Sequence, residues 1–299
     1  MIGCDVSQSE NGGGDNRKEP SYFTVSFYDV NLDLEGQTKV DVRNPTIDIA
    51  QLKTDLALSA PQLYRAGSAE KVETNALYPI TGDTNFYAIA SVKEIRTEIE
   101  LSAVRDNLSH NYILINDIAL TSATLNETAG WEPIGDSYSS FSGIFNGNGH
   151  KITGLRIDRS SMQYVGLFGF TNGAVIKNIG VEIANGKEVK GDYYVGGIVG
   201  YVADGSITNS YSTGDISGTR YVGGIVGRVA DGSITNSYAT GNISGGDYYV
   251  GGIVGYVATG GDITNSYATG NISGTQYVGG VVGSVYYGTV TNNAAINPS

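Results

Sequence analysis

Short apolar runs alternate with glycine and small polar residues along the last third of the chain, and this alternation returns at a fixed interval. The run Tyr-Val-Gly-Gly-Ile-Val-Gly begins at Tyr194, Tyr221 and Tyr249, and a close variant begins at Tyr277. These copies are 27, 28 and 28 residues apart, and a degenerate copy begins at Tyr164. A constant period of this length predicts a stacked repeat protein, a class that more often binds or spans than catalyses.

Each repeat contains three short runs rich in β-branched and aromatic residues, separated by turns with glycine or aspartate. In the unit from Tyr221 to Tyr248 the runs begin at Tyr221, Gly232 and Gly241. Such runs predict strands, and no ten-residue run in the repeats has helical spacing. Three strands and three turns per period predict one coil of a parallel β-helix. The fold class is therefore all-β, a parallel β-helix solenoid with 27–28 residues per coil.

Stacking aligns equivalent side chains in columns, because coils lie about 4.8 Å apart and one coil cannot bury its apolar residues alone. Two predicted columns are apolar: Ile176, Ile207, Ile234, Ile263 and Val290, and then Ile216, Ile243 and Ile272. A predicted asparagine ladder, whose amides would hydrogen-bond along the axis, consists of Asn178, Asn209, Asn236, Asn265 and Asn292. Two predicted tyrosine columns are Tyr194, Tyr221, Tyr249 and Tyr277, and then Tyr211, Tyr238 and Tyr267.

The repeats resemble the GLUG motif of bacterial surface proteins. The matching strings are Val165-Gly-Leu-Phe-Gly, the Gly-Gly-Ile-Val-Gly runs, Ile-Thr-Asn-Ser-Tyr and Ala-Thr-Gly-Asn-Ile-Ser-Gly. The segments from Tyr112 and from Phe141 resemble the first rungs that usually precede such repeats, so the resemblance covers about residues 97–297. It implies a β-helix similar to that of filamentous adhesins.

Some proteins with this motif accompany metalloendopeptidases that cleave immunoglobulin A. Those proteases need a His-Glu-x-x-His zinc helix. This chain has two histidines, and His110 is followed by Asn111 and His150 by Lys151. The resemblance therefore does not carry the protease activity over.

The first twenty residues have the composition of a tether. The opening Met1-Ile-Gly-Cys4, followed by a polar, glycine-rich stretch, resembles the lipobox of bacterial lipoproteins. We therefore expect residues 1–20 to be a flexible tether with lipid on Cys4; the alternative is a stray cysteine near a disordered terminus. Cys4 is the only cysteine, so a disulfide framework and a cysteine-based zinc site are excluded. No run of eighteen apolar residues occurs, so we expect membrane contact only through this anchor.

Residues 21–96 have a different pattern. Short alternating runs such as Phe23-Thr-Val-Ser-Phe-Tyr predict a small all-β domain, similar to a β-sandwich. The stretch from Ala76 to Ala88 looks like a strand pair of the fimbrillin-like lipoproteins of Bacteroidetes.

The next segment predicts a helix that caps the solenoid. Ile99, Leu101, Val104 and Leu108 have helical spacing, and acidic residues occupy the first turn. A solenoid needs such a cap because a bare terminal coil exposes a strand edge. We therefore assign residues 97–299 to the β-helix and its cap.

The net charge and the positions of the acidic residues argue against several classes of function. The net charge of −12 argues against nucleic acid, because phosphate binding needs clustered Lys and Arg, and it suits a secreted surface. β-Helix polysaccharide enzymes need paired carboxylates, or calcium with a nearby base. Asp204 and Asp231 precede Gly-Ser, which is turn chemistry. We predict no catalytic residue, no cofactor and no metal site, with calcium bound by turn aspartates kept open.

Tyrosine is the side chain that points to binding, with 21 Tyr against one Trp. Tyr201 and Tyr256 alternate with Arg228 and Ser284 at the same phase of the repeat, and variable chemistry at a fixed position is what a binding face permits. The candidate binding face is therefore Tyr201, Arg228 and Tyr256, with the alternative that these tyrosines only stabilise the stack, which is how the Tyr221 column is interpreted.

These patterns predict a non-enzymatic, adhesin-like protein of the cell surface, an outer-membrane lipoprotein that binds a glycan or an extracellular protein. Two alternatives stay open: a polysaccharide-binding or polysaccharide-degrading β-helix protein, and a structural spacer. The oligomeric state and the ligand do not follow from the sequence.

Overall fold

The computed structural model describes residues 21–58, 63–68, 71–72, 77–122 and 124–296. Cys4 and the predicted tether 1–20 lie outside the described residues, and lipid attachment at Cys4 stays a prediction.

The N-terminal part consists of β1 Tyr22–Tyr28, β2 Leu34–Asp41, β3 Thr46–Asp48, α1 Ile49–Asp55, β4 Tyr64–Arg65, β5 Leu77–Pro79 and β6 Thr84–Tyr87. A four-stranded sheet has the order β2-β1-β6-β4, and β3 pairs with β5 in a second, two-stranded sheet. Strand β1 is antiparallel to β2 and parallel to β6. Phe27 and Phe86 of the larger sheet pack with Ile47 and Ile49 in one apolar cluster.

Helix α1 corrects the expectation that residues 21–96 are purely β. Asp48 caps the helix by accepting a hydrogen bond from the Gln51 backbone N–H at 2.9 Å. Ile49, Leu52 and Leu56 pack into the cluster of the larger sheet, so the helix has one apolar side. Seven residues are too few for the helical period to stand out from the alternating runs around them. The likeness to fimbrillin-like lipoproteins stays a prediction.

The solenoid is built from three sheets in which every strand pair is parallel. The first sheet contains β7 Lys93–Ile95, β8 Tyr112–Leu114, β10 Ile144–Asn146, β13 Phe168–Lys177, β17 Val199–Thr208, β20 Val226–Val229, β24 Val254–Val257 and β29 Val282–Val285, with β21 Gly232–Thr235, β25 Gly261–Thr264 and β30 Thr289–Thr291 beside them. The second contains β9 Ile118–Ala119, β11 Lys151–Leu155, β14 Gly180–Ile183, β18 Tyr211–Thr213, β22 Tyr238–Thr240, β26 Tyr267–Thr269 and β31 Ala294–Ile296. The third contains β12 Ile157–Asp158, β15 Glu188–Lys190, β16 Tyr193–Gly196, β19 Asp215–Gly223, β23 Ile243–Gly251, β27 Ile272–Ser273 and β28 Gln276–Gly279.

The strand register confirms the predicted parallel β-helix. The pairs along the first apolar column are Ile176 with Ile207, Ile207 with Ile234, Ile234 with Ile263, and Ile263 with Val290. Ile216, Ile243 and Ile272 pair in the same way on the third sheet. These columns belong to one continuous core, which burial of apolar area stabilises.

A short helix closes the N-terminal end of this core, as predicted. Helix α2 spans Glu98–Ser102 and continues as a 3₁₀ turn over Ala103–Asp106. Thr97 and Glu100 form a capping box, and Leu101 and Val104 are 0% exposed within the solenoid core. Ile99 is 57% exposed, so it does not share the apolar side that its spacing suggested.

The solenoid begins earlier than the expected boundary at residue 97. Strand β7, Lys93–Ile95, already pairs in parallel with β8. At the opposite end, core positions become accessible: Val290 is 37% exposed although Ile234 of the same column is 0% exposed. The last coil therefore contributes less buried area than the coils before it.

The N-terminal part contacts the solenoid along its first coils. Tyr28, Leu32 and Tyr87 form a buried cluster with Ile113 of strand β8. The Asp33 carboxylate accepts a hydrogen bond from Lys177 Nζ at 2.7 Å, and the Lys177 side chain is 10% exposed. Apolar burial therefore joins the two parts, together with an ion pair whose lysine is buried and whose aspartate is exposed.

Candidate binding face

A ladder of stacked tyrosines runs along one corner of the solenoid. Its members, here called the tyrosine ladder, are Tyr164, Tyr194, Tyr221, Tyr249 and Tyr277, and their φ angles are 62°, 57°, 56°, 63° and 53°. Successive ring centroids are 5.1, 4.8, 5.0 and 5.0 Å apart, with interplanar angles of 9–17°. A left-handed backbone costs an L-residue about 1–2 kcal/mol. Stacking of the rings, about 0.5–1.5 kcal/mol for each pair, offsets that cost.

The stacking determines which part of each ring is available to a ligand. Because nearly parallel rings follow one another along the axis, neighbouring rings cover both faces of Tyr194, Tyr221 and Tyr249. All three residues are of intermediate exposure, so ring edges, rather than ring faces, are the parts left accessible to a ligand. Burial, and then the neighbouring tyrosines, raise the pKa of Tyr221, so its hydroxyl stays protonated at neutral pH. The ladder thus offers hydrogen-bonding edges rather than ring faces.

The three predicted binding residues lie together in a column beside this ladder. Tyr201 pairs in register with Arg228, and Arg228 with Tyr256. The Arg228 guanidinium carbon lies 5.0 Å from the centroid of the Tyr201 ring and 5.5 Å from that of Tyr256. Cation–π attraction therefore holds the arginine between the two rings.

This column continues in both directions and packs edge-on against the tyrosine ladder. Phe170 stacks on Tyr201 at 4.8 Å on one side, and Ser284 follows Tyr256 on the other. The Tyr201 and Tyr194 rings lie 5.3 Å apart at 89°, and the Tyr256 and Tyr249 rings 5.0 Å apart at 66°. The column and the ladder thus form one continuous aromatic surface.

A second arginine column flanks the ladder on its other side, and sequence reasoning missed it. Tyr193 pairs with Arg220, and Arg220 with Tyr248. The Arg220 guanidinium carbon lies 5.4 and 5.3 Å from the two ring centroids, and Arg220 Nε lies 3.3 Å from the Asp247 carboxylate. The residue before each ladder tyrosine varies, and that signal could have revealed this column. We call the ladder and its two flanking columns the tyrosine–arginine face.

The predicted asparagine ladder lies at another corner of the coil. Its φ angles are 54°, 51°, 52°, 52° and 56° at Asn178, Asn209, Asn236, Asn265 and Asn292. Amide groups hydrogen-bond from Asn236 to Asn209, from Asn209 to Asn178, and from Asn178 to Asn146, over 3.2, 3.2 and 3.1 Å. Asparagine suits this corner because it tolerates the left-handed conformation better than most L-residues.

The second tyrosine column also makes coil-to-coil contacts. The Tyr211, Tyr238 and Tyr267 rings stack at 4.9 and 5.0 Å, and a Cβ placed on Gly180 of the preceding coil would clash with the Tyr211 ring. The Tyr211 hydroxyl donates a hydrogen bond to Glu182 Oε1 at 3.2 Å. Burial and then the Glu182 carboxylate raise the pKa of Tyr211 to about 12. Gly180 and Tyr238 thus cover the two faces of the Tyr211 ring.

Acidic and basic residues line a groove of about 430 Å³ on the third sheet; its acids are Glu127, Asp158, Glu188 and Asp215, and its bases are Arg156 and Lys187. Glu188 accepts a hydrogen bond from Ser217 Oγ at 2.7 Å, and Asp215 accepts one from the Asn242 backbone N–H at 2.9 Å. These two carboxylates therefore tie neighbouring coils together.

Within the described ranges, no group of three or more His, Cys, Asp or Glu residues is placed to hold a metal ion. Calcium binding by turn aspartates stays a prediction. Asp204 Oδ1 accepts a hydrogen bond from the Gly205 backbone N–H at 2.7 Å, which is a contact of the turn itself. Among the helices in the part of the chain that the structure covers, none is long and apolar enough to cross a membrane.

Comparisons with known proteins agree with the repeat pattern. A family model, "The GLUG motif", matches residues 191–217, 218–244 and 246–273. A "Putative Gly-rich membrane protein" of Evansella cellulosilytica is 46% identical over 77 residues, which are 25% of this chain and 9% of that protein. "Halomucin" of Haloquadratum walsbyi is 37% identical over 138 residues, which are 44% of this chain and 1% of that protein.

Among solved structures, a chain described as "IgA1 Protease" has a TM-score of 0.41 and 20% identity, over 79% of this chain and 22% of that chain. The curated relatives are far longer than this chain, which spans 9% and 1% of their lengths. Residues 191–217, 218–244 and 246–273 thus match the GLUG motif, and they form successive coils of a parallel β-solenoid.

Proposed function

We propose that this protein is a non-enzymatic, adhesin-like β-solenoid of the cell surface that binds an extracellular glycan or protein with its tyrosine–arginine face. The observation that carries the proposal is the contrast between nearly identical coils and two variable columns. At one level of the stack, Arg220 and Arg228 occupy positions where the adjacent coils place tyrosine. Stacking of the coils needs no such change, so a ligand is its simplest reason.

The relatives support a surface location. One is named a membrane protein and another a halomucin, and both share repeats with this chain. The formal charge of −12 suits an exposed extracellular surface.

The chemistry of the face supports binding rather than catalysis. Its phenol, guanidinium and serine groups supply hydrogen bonds and positive charge. A hydrolase of sugars would instead need two carboxyl groups with separate acid and base roles. Glu188 and Asp215, in the groove on the third sheet, are already engaged by neighbouring coils.

A structural spacer is the second candidate, and one observation favours it. The ring faces of the interior ladder tyrosines are covered by their neighbours, as a purely stabilising column would require. In that case the coils determine only the length of the rod, about 4.8 Å for each coil.

Two deletions of equal length separate these functions. One removes residues 221–248, which contain Arg228, and the other removes residues 249–276, which contain no basic residue. The parent and both variants are applied to an array of glycans and extracellular matrix proteins. Binding by the parent that falls more after deletion of 221–248 than after deletion of 249–276 supports the face. A parent that binds nothing, or equal binding by all three proteins, contradicts it.

A further inference from the structure

Arg220 and Arg228 are the only basic residues between positions 191 and 299. They lie at one level of the stack, and each lies between two tyrosine rings of the adjacent coils. Two positive charges are therefore concentrated at one level of a solenoid whose repeats otherwise carry aspartates.

The two arginines differ in the hydrogen bonds and ion pairs that they already make within the protein. Arg220 contacts the Asp247 carboxylate at 3.3 Å. Arg228 makes no hydrogen bond or salt bridge with any described residue, and its Nε is buried without a hydrogen-bond partner. A guanidinium held in place by two rings and lacking a carboxylate is prepared to bind an oxyanion, because its planar fork matches carboxylate and sulfate groups.

From this we propose that Arg228 is the receptor for an acidic sugar, and that the tyrosine–arginine face binds an anionic glycan lying along the solenoid axis. The carboxylate or sulfate of one sugar residue contacts the Arg228 guanidinium, and the hydroxyl edges of Tyr221 and Tyr249 hydrogen-bond to neighbouring sugar residues. This inference rests on the proposed function, since it names the ligand class of the same face.

The spacing of the face favours a glycan over an extended peptide. The ladder rings repeat every 4.8–5.0 Å. An extended peptide repeats its side chains on one side only every ~6.7 Å, which is two residues of a strand. Successive peptide side chains would therefore fall out of register with the hydroxyl groups. A linear pyranose chain advances by nearly the ring spacing and offers hydroxyl groups at each step.

The overall negative charge does not prevent this binding. Charges beyond about 8 Å are screened at physiological ionic strength. The local contact with Arg228 is then the larger influence on an anionic sugar.

The test measures binding of paired polymers that differ only in charge. The pairs are polygalacturonate with its fully methyl-esterified form, and dextran sulfate with dextran, each titrated calorimetrically into the full chain. We expect binding of at least one acidic polymer, no binding of its neutral partner, and weakening as salt is raised. The first pair reports a carboxylate as the recognised group, and the second reports a sulfate.

Substitutions assign the binding to Arg228. Arg228→Tyr continues the aromatic column of Phe170 and Tyr201, so the coil is expected to fold, and it should weaken binding by about tenfold to a hundredfold. Arg228→Lys keeps the charge without the planar fork and should fall between the two proteins. Lys151→Gln is the matched control: it removes one positive charge from the second sheet, outside the face, where Lys151 contacts Glu182, and it should change affinity less than about threefold.

Several outcomes overturn the inference. They are binding of neither acidic polymer, equal binding of acidic and neutral partners, and an affinity that Arg228→Tyr leaves unchanged. Stronger binding of polyglutamate than of either acidic glycan assigns the face to an acidic protein instead. If no acidic glycan binds but the array detects another ligand that deletion of 221–248 removes, this inference fails while the proposed function stands.

Discussion

At a ladder tyrosine, whose φ is positive, we expect the glycine variant to be more stable than the alanine variant, which reverses the usual order in a strand. Tyr221 stacks between Tyr194 and Tyr249 and has a φ of 56°. Tyr238 stacks between Tyr211 and Tyr267 at similar distances, and its φ is not positive. Both sites therefore lose two ring contacts on truncation, about 1–3 kcal/mol in total, but only Tyr221 has a strained backbone.

At Tyr238, alanine should be more stable than glycine by about 0.5–1 kcal/mol, because glycine loses more backbone entropy in a strand. At Tyr221 glycine should be more stable than alanine by about 1 kcal/mol, because alanine keeps the left-handed strain after the rings are gone. Tyr221→Phe and Tyr238→Phe keep the rings and should each change the free energy of unfolding by less than about 0.5 kcal/mol.

Urea unfolding of the six variants measures these differences. The transition is followed by circular dichroism and by tyrosine fluorescence. Repeat arrays lose two-state behaviour when their coils unfold separately, and the two signals then give different unfolding curves. The same order of alanine and glycine at both sites would refute the assignment of strain to the ladder. A Tyr221→Ala variant as stable as the parent would refute the contribution of stacking.

Three further predictions concern the core and the second tyrosine column. Ile234→Ala should lower the free energy of unfolding by about 2–5 kcal/mol. Val290 lies in the same column but is 37% exposed, so Val290→Ala should lower it by less than about 1 kcal/mol. Urea unfolding measures both changes. Gly180→Ala should cost about 1–3 kcal/mol because the new methyl group meets the Tyr211 ring, and a double-mutant cycle with Tyr211→Ala should show non-additive effects. The raised pKa of Tyr211 means that its contribution to stability is complete below pH ~10, the unfolded value, and is lost as pH rises toward 12. Unfolding at a series of alkaline pH values should show this loss for the parent and a smaller loss for Tyr211→Phe.

The candidate site was predictable in part. The phase of the repeat alone places Tyr201, Arg228 and Tyr256 in one column, because residues at one phase must stack when coils do. The same rule applied to Arg220 and Tyr248, and they were missed because the ladder tyrosine beside them dominated the pattern. Arg220 contacts the Asp247 carboxylate, whereas Arg228 contacts no carboxylate. This difference depends on where side chains of neighbouring coils lie, and the spacing of residues along the chain does not reveal it.

The sequence by itself determined the period, the parallel β-helix and the columns of Ile234 and Asn236, because a repeat of constant length can bury its apolar residues only by stacking in register. Only the tertiary structure decided that the ladder rings cover one another's faces, because ring orientation follows from the left-handed backbone at each tyrosine. It also decided that the solenoid begins at Lys93 and that α1 packs against the four-stranded N-terminal sheet, since both depend on contacts between segments distant in the chain. The period of the sequence determines which positions of each coil are equivalent. Three-dimensional packing determines which side chains of different coils and segments come into contact.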